Sequence, residues 1–194
     1  MIVNKKKISN HLKKNWFSYL LYLILALVIF SPGAKSWLLQ QVVSTGILKA
    51  NIKKTAPNKD FPDAPTFSFI NSAGKTVSTA DLKGKVLFIN FWASWCPPCR
   101  AEMPGLEDLY KELKNDDRLV FLFINEDTDK DKAIQYLQKN QFTIPLYSRE
   151  SYVSNDLFSG TLPTTVIIDK QGKIVLKHQG MARYNSADFI RKLK

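Results

Sequence analysis

The sequence predicts an α/β domain with a mostly parallel sheet and antiparallel edges, preceded by one transmembrane helix. Three observations carry this prediction. Val86-Leu87-Phe88-Ile89-Asn90-Phe91 is an aliphatic and aromatic run without regular polar alternation, which suits a strand buried on both faces. Leu106, Leu109, Tyr110 and Leu113 then recur at helical spacing, with Glu102, Glu107, Asp108, Lys111 and Glu112 between them. Leu119-Val120-Phe121-Leu122-Phe123-Ile124 is a second buried run, so the three segments form a strand–helix–strand unit with parallel strands.

In chain order, residues 1–15 carry Lys5, Lys6, Lys7, Lys13 and Lys14 and form a basic cytoplasmic end. Trp16 to Phe30 is a run of fifteen residues without a charge, and small residues extend it to Ala34. At 1.5 Å per residue, residues 16–34 span roughly 28 Å, close to a bilayer core. Trp16, Tyr19 and Tyr22 suit an aromatic belt at the entry side. Five lysines before the run, against Lys35 and Lys49 after it, orient the N-terminus inward. A cleaved signal peptide is the alternative, although Ser31 to Lys35 matches a cleavage site poorly; either way the domain is exported. Residues 35–60 form an amphipathic segment and linker. Within them, Trp37 to Leu48 fits either the membrane interface or an extra helix on the domain. Asn51 to Pro65 is rich in Lys, Pro, Asn and Asp, as linkers are.

The domain itself, residues 61–194, opens on a hairpin, with Thr66–Ile70 and Thr76–Ser78 flanking Asn71 to Lys75. Asp81–Gly84 turns into the first buried strand. After the second, Asp129 to Asn140 is helical, with Ala133, Ile134 and Leu137 inward. Ile144–Tyr147 predicts a short strand and Tyr152–Phe158 a short helix. Val166–Asp169 and Lys173–Lys177 bracket Lys170-Gln171-Gly172 as an edge hairpin. Ser186 suits the N-cap of a last helix through Phe189, Ile190 and Leu193.

Cys96 and Cys99 are the only cysteines. They lie where the first buried strand turns into its helix. A helix N-terminus presents unpaired N–H groups and a partial positive charge, which stabilise a thiolate. Cys96 is the expected attacking thiolate and Cys99, one turn inward, the resolving one. Pro97 and Pro98 are tolerated there because first-turn N–H groups have no helical partner. A zinc site would need two more ligands, and the only histidines are His11 and His178. A purely structural disulfide across so small a loop removes little chain entropy. Glu102, three residues after Cys99, shares its helix face, and thiol exchange needs a group that gives and takes protons. A solvent-facing helix glutamate is the plainer alternative.

Phe91-Trp92-Ala93-Ser94-Trp95-Cys96-Pro97-Pro98-Cys99-Arg100-Ala101-Glu102-Met103-Pro104 resembles the active-site segment of the thioredoxin superfamily. It is most similar to the membrane-tethered TlpA/ResA-like thiol–disulfide oxidoreductases. The likeness runs from about Phe61 to the C-terminus and includes Asp81-Leu82-Lys83-Gly84-Lys85 and Thr161-Leu162-Pro163-Thr164-Thr165. The resemblance implies a thioredoxin-like α/β/α sandwich with an N-terminal β-hairpin and a central insertion before the second motif. It implies a cis-proline at Pro163 facing the disulfide, leaving the Leu162 backbone to dock a partner's chain and excluding metals from the dithiol. Trp95 is expected to shield one side of the disulfide. Thioredoxins place a buried aspartate where this chain has Asn90, which cannot exchange a proton, so Glu102 is left as the candidate carboxylate. Trp92 fits core packing, Arg100 an exposed helix position, and Asn125 to Asp129 a polar loop capping the next helix.

The formal charge of +11 invites a nucleic-acid partner, but its placement argues otherwise. Residues 1–59 hold ten lysines and no acid, whereas residues 60–194 hold eighteen basic and seventeen acidic side chains. The basicity belongs to the tether, and no nucleic-acid partner is expected. The expected protein is a single-pass inner-membrane thiol–disulfide oxidoreductase with its catalytic domain on the periplasmic, extracytoplasmic side. It would reduce disulfides of exported proteins, apocytochrome c among them by the family likeness. A membrane thiol-reductant donor would recharge it, because exported space lacks the cytosolic reducing pool. The dithiol carries the electrons, so no cofactor and no metal are expected. The alternatives are a disulfide oxidase or isomerase, a thiol peroxidase and a metal carrier. Ala93 and Ile89 depart from the peroxiredoxin pattern, which has Thr or Ser and Pro at those places.

Overall fold

The computed structural model describes residues 5–45 and 63–193; most of the expected linker lies outside the described residues. Two helices come first, α1 (Lys5–Phe30) and α2 (Pro32–Ser44). The expected span 16–34 is thus divided at Ser31. Pro32 has no N–H with which to continue α1, and the Ser31 hydroxyl caps α2 by accepting the Ala34 N–H at 3.3 Å. Among the described residues, no helix is long and apolar enough to cross a membrane. Many apolar side chains of α1 are nonetheless exposed, from Trp16 to Phe30. On α2, Ser36 and Val43 are buried while Trp37, Leu38 and Val42 face outward.

The domain is built on seven strands: β1 (Ser68–Ile70), β2 (Thr76–Ser78), β3 (Val86–Trp92), β4 (Leu119–Asn125), β5 (Tyr147–Arg149), β6 (Thr164–Ile168) and β7 (Ile174–Gln179). Their order is β2-β1-β5-β4-β3-β6-β7. Only β3–β4 and β4–β5 pair parallel, and the other four pairings are antiparallel. The sheet is therefore mixed rather than mostly parallel: beyond the two edge hairpins, β1 joins β5 and β6 joins β3 antiparallel. β5 begins three residues later than expected. Pro145 cannot donate to a ladder, so pairing starts beyond it.

Three helices complete the domain: α3 (Pro97–Leu113), α4 (Lys130–Lys139) and α5 (Ala187–Leu193). Alternating residues of the strands divide the core into two layers. Phe88, Trp92, Phe121, Phe123 and Ile167 pack under α3, α4 and α5. Ile89, Phe91, Leu122, Ile124 and Val166 pack under Phe67, Phe69, Val153, Leu157 and Phe158. Among the described residues no α-helix contributes to that second layer, so the expected helix–sheet–helix sandwich carries its helices on one face. The reason is local. Tyr152–Phe158 forms a single turn instead of a helix, with the Leu157 and Phe158 N–H groups both directed at the Ser154 carbonyl at 2.9 Å. The Ser154 hydroxyl also takes the Asp156 N–H at 3.2 Å, the competition by which serine disfavours helix. Phe158 then stacks on Phe91 at 4.4 Å. In α4, Ala133 and Leu137 point inward as expected, but Ile134 is exposed and Tyr136 takes its place against Trp92.

This layout converges on one end of the sheet. β3 runs into the short turn that opens α3, and β6 starts at Thr164 directly opposite Phe91. The segment before β6, with Leu162 and Pro163, therefore reaches the same end as the two cysteines.

Candidate active site

Cys96 and Cys99 are joined by a disulfide, with their Cα atoms 5.3 Å apart. Cys96 is the N-cap of α3, in extended conformation, and its Sγ accepts the Cys99 N–H at 3.3 Å. Pro97 and Pro98 fill the two positions between and have no N–H to offer. Cys99 is fully buried and Cys96 is 3% exposed, whereas the neighbouring Trp95 is 63% exposed. The sulfurs are thus buried in the core while the side chain just before them stands in solvent.

Glu102 does not face solvent: it is 1% exposed and points at the sheet. Asn90 Nδ2 donates to its Oε1 at 2.9 Å, and the Ala182 N–H donates to its Oε2 at 3.3 Å. Asn90 Nδ2 also reaches Thr165 Oγ1 at 2.9 Å, across the β3–β6 pairing. Burial pushes the Glu102 carboxyl up to about 8, with the two hydrogen bonds pulling it only part of the way back. The group is therefore mostly protonated at neutral pH. Tyr184 lies in the same layer, 1% exposed. Burial raises its phenol well above the usual range, and the Glu102 charge adds to this.

The Leu162–Pro163 peptide is cis. The Pro163 carbonyl accepts the Gly180 N–H at 2.8 Å, and the Thr164 hydroxyl donates to the Thr161 carbonyl at 2.7 Å, which together fix the turn. Trp92 is fully buried as core packing. Arg100 departs from the expected exposed position: it is half-buried, with its guanidinium 5.3 Å from the Tyr136 ring centre, a cation held over an aromatic face. Asp129 caps α4 by accepting the Asp131 N–H at 3.1 Å. Among the described residues no group of three or more His, Cys, Asp or Glu is arranged to hold a metal ion. Ala182, Thr165 and Tyr184 were not among the sequence candidates. Ala182 acts through its backbone, eighty positions from Glu102, so no side-chain pattern could have marked it.

The Redoxin family model matches residues 58–189. The chain belongs to the Redoxin family. Thiol-disulfide oxidoreductase ResA of Bacillus thuringiensis (strain Al Hakam) is 34% identical over 167 residues, 84% of this chain and 88% of that protein. Thioredoxin-like protein YneN of Bacillus subtilis (strain 168) is 30% identical over 168 residues, 86% of this chain and 91% of the relative. The crystal structure of a thioredoxin family thiol:disulfide interchange protein from Chlorobium tepidum TLS matches with a TM-score of 0.54 and 28% identity, over 70% of this chain and 96% of that one. This Redoxin-family protein is a TlpA/ResA-like thiol–disulfide oxidoreductase of thioredoxin-like fold.

Proposed function

We propose that this oxidoreductase reduces disulfides of exported proteins on the periplasmic, extracytoplasmic side of the inner membrane. The observation that carries the direction is the single N–H, from Cys99, that the first turn of α3 offers to the Cys96 sulfur. Pro98 withholds the other N–H that an N-cap side chain accepts, so the thiolate is less stabilised than at a fully donating helix start. A more basic thiol makes its disulfide harder to reduce and its dithiol a better reductant.

In one cycle the Cys96 thiolate attacks a substrate disulfide. The substrate S–S bond breaks, a mixed disulfide forms and the departing sulfur takes a proton. Cys99, deprotonated, then attacks Cys96 Sγ and releases the second substrate thiol. Two electrons have passed to the substrate, and Cys96–Cys99 is oxidised. A membrane thiol reductant returns the electrons. Glu102 is the buried group that holds and releases protons during these steps, since it is neutral near pH 7 and lies on the α3 face that follows Cys99. Trp95, Leu162 and Pro163 dock the substrate chain, at the end of the sheet where the sulfurs lie. Apocytochrome c cysteines are the proposed substrates, by the likeness of the active-site segment to TlpA/ResA-like proteins.

Membrane attachment through α1, with the N-terminus inside, is supported by the exposed apolar side chains between Trp16 and Phe30 and by the lysines that precede them. Equilibration of the Cys96/Cys99 pair in thiol redox buffers tests the direction. The expected potential lies below about −200 mV, and a value near −120 mV would overturn the reductant. After mild reduction of intact cells, a membrane-impermeant maleimide should label Cys96; labelling only after lysis overturns the location.

A further inference from the structure

Residues 93–95 connect β3 to the N-cap of α3, and the place of the Cys96 sulfur depends on them. An N-cap side chain is normally held by N–H groups of the second and third helical residues. Pro98 removes the first of these, so Cys99 alone holds Cys96 from the helix side, at 3.3 Å. The entry to the helix must then be gripped from elsewhere.

The loop after β4 supplies the grip. Asp127 Oδ2 accepts the Ser94 N–H at 2.8 Å, and its Oδ1 accepts the Ser94 hydroxyl at 2.9 Å. Asn125, buried at the end of β4, locks the carboxylate in turn. Its Nδ2 donates to Asp127 Oδ2 at 2.6 Å, and its Oδ1 accepts the Asp127 N–H at 3.2 Å. The Glu126 N–H binds the Trp92 carbonyl at 2.9 Å, and the Cys96 N–H closes the turn onto the Ala93 carbonyl at 3.3 Å. Capping of α4, the role expected of this loop, falls to Asp129, which leaves Asp127 to the redox turn.

We propose that Asp127 is a positioning residue for the redox pair: by gripping Ser94 it keeps the Cys96 sulfur at the N-cap of α3 through the thiolate and disulfide forms. The inference rests on Cys96 as the attacking sulfur but is independent of the direction of electron flow.

The test compares full-length Asp127→Ala and Asp127→Asn. Asparagine keeps the grip without the charge, its oxygen accepting the Ser94 N–H and its amide donating to the Ser94 hydroxyl. Two readouts are taken: the pH midpoint of Cys96 alkylation in a Cys99→Ala background, and the rate of reduction of a small aromatic disulfide with Cys99 intact. In Asp127→Ala the midpoint moves up and the rate at pH 7 falls about tenfold, the size of a lost cap, while Asp127→Asn stays within about twofold of the parent. Removing a negative charge by itself moves the midpoint down, so an upward shift identifies the grip. An unchanged or lowered midpoint in Asp127→Ala overturns the proposal, as does an Asp127→Asn variant equally impaired. Should Asp127→Ala fail to fold by circular dichroism, Ser94→Ala decides: it keeps the N–H bond and loses the hydroxyl. A smaller upward shift is expected there, and no shift overturns the proposal. Because alkylation ignores redox direction, an oxidising potential in the earlier test leaves this one standing.

Discussion

Glu102 and Glu107 occupy the same helix, are 1% and 4% exposed, and are driven in opposite directions. Burial raises both. At Glu102 it wins, because the partners are two neutral N–H donors, and the carboxyl rises to about 8. At Glu107 burial is outweighed by Lys111 Nζ at 3.0 Å and by the Thr143 hydroxyl and N–H, both at 2.8 Å, which hold the carboxyl below its usual value. The Ile144 N–H adds a bond at 3.2 Å. Low accessible area therefore does not by itself decide charge: Glu102 lies deeper in the core, while Glu107 sits nearer the surface and has more donors and a cation beside it. Glu107 is a fixed anion that ties α3 to the segment before β5, and Glu102 is a store for one proton.

The largest expected effect comes from removing that store. Glu102→Gln keeps the shape but cannot titrate, and disulfide exchange near neutral pH should fall about 100-fold or more in a stopped-flow assay. An unchanged rate would take Glu102 out of the chemistry. The same variant tests the stability side. The folded carboxyl titrates at about 8 against an ordinary value of 4.5, so the folded state binds more protons between them and stability falls as pH rises through that window. In Glu102→Gln the urea midpoints at pH 5 and pH 8, measured on the full chain in mild detergent, should converge.

Asn90→Asp sharpens the contrast next. It replaces the amide donor to Glu102 with a second carboxyl at hydrogen-bond distance, and the two cannot both ionise. The variant should lose about 2–4 kcal/mol more at pH 8 than at pH 5. Equal losses would show that the site is wetter than its burial implies.

Glu107→Gln should cost about 1–3 kcal/mol, by leaving Thr143 and Ile144 donors without full partners, yet keep the exchange rate. Its folded carboxyl titrates below the usual value, so its stabilising contribution is full above that value and fades as pH falls through the folded one. Urea titrations should show the deficit at pH 7 and little of it in acid. Lys111→Ala is the smallest change. Lys111 is 54% exposed, so water screens the pair, and about 0.3–0.5 kcal/mol that shrinks in salt is expected from denaturation at two ionic strengths.

The elements legible in the sequence are those whose signals are local. β3 and β4 are apolar throughout, α3 repeats its leucines at helical spacing, and the cysteines mark the junction. Ser186 was identifiable as a cap because its hydroxyl serves Phe189, three residues on, at 3.3 Å. The misses follow from competition. Tyr152–Phe158 has enough apolar residues for a helix, but the strands of the second layer draw Val153, Leu157 and Phe158 down before a second turn forms. Ser31-Pro32 carried a helix-start signal inside the apolar run, and hydropathy alone passed over it.

By itself the sequence determined that a dithiol sits at the head of a helix fed by a buried strand, because spacing, proline placement and apolar runs act between neighbours. Tertiary structure decided which carboxyl is protonated, which face the helices cover and what steadies Cys96. Those answers depend on groups brought from β6, from Ala182 and from the loop after β4. Desolvation and hydrogen-bond geometry are properties of such meetings in space, and no residue carries them before the chain has closed.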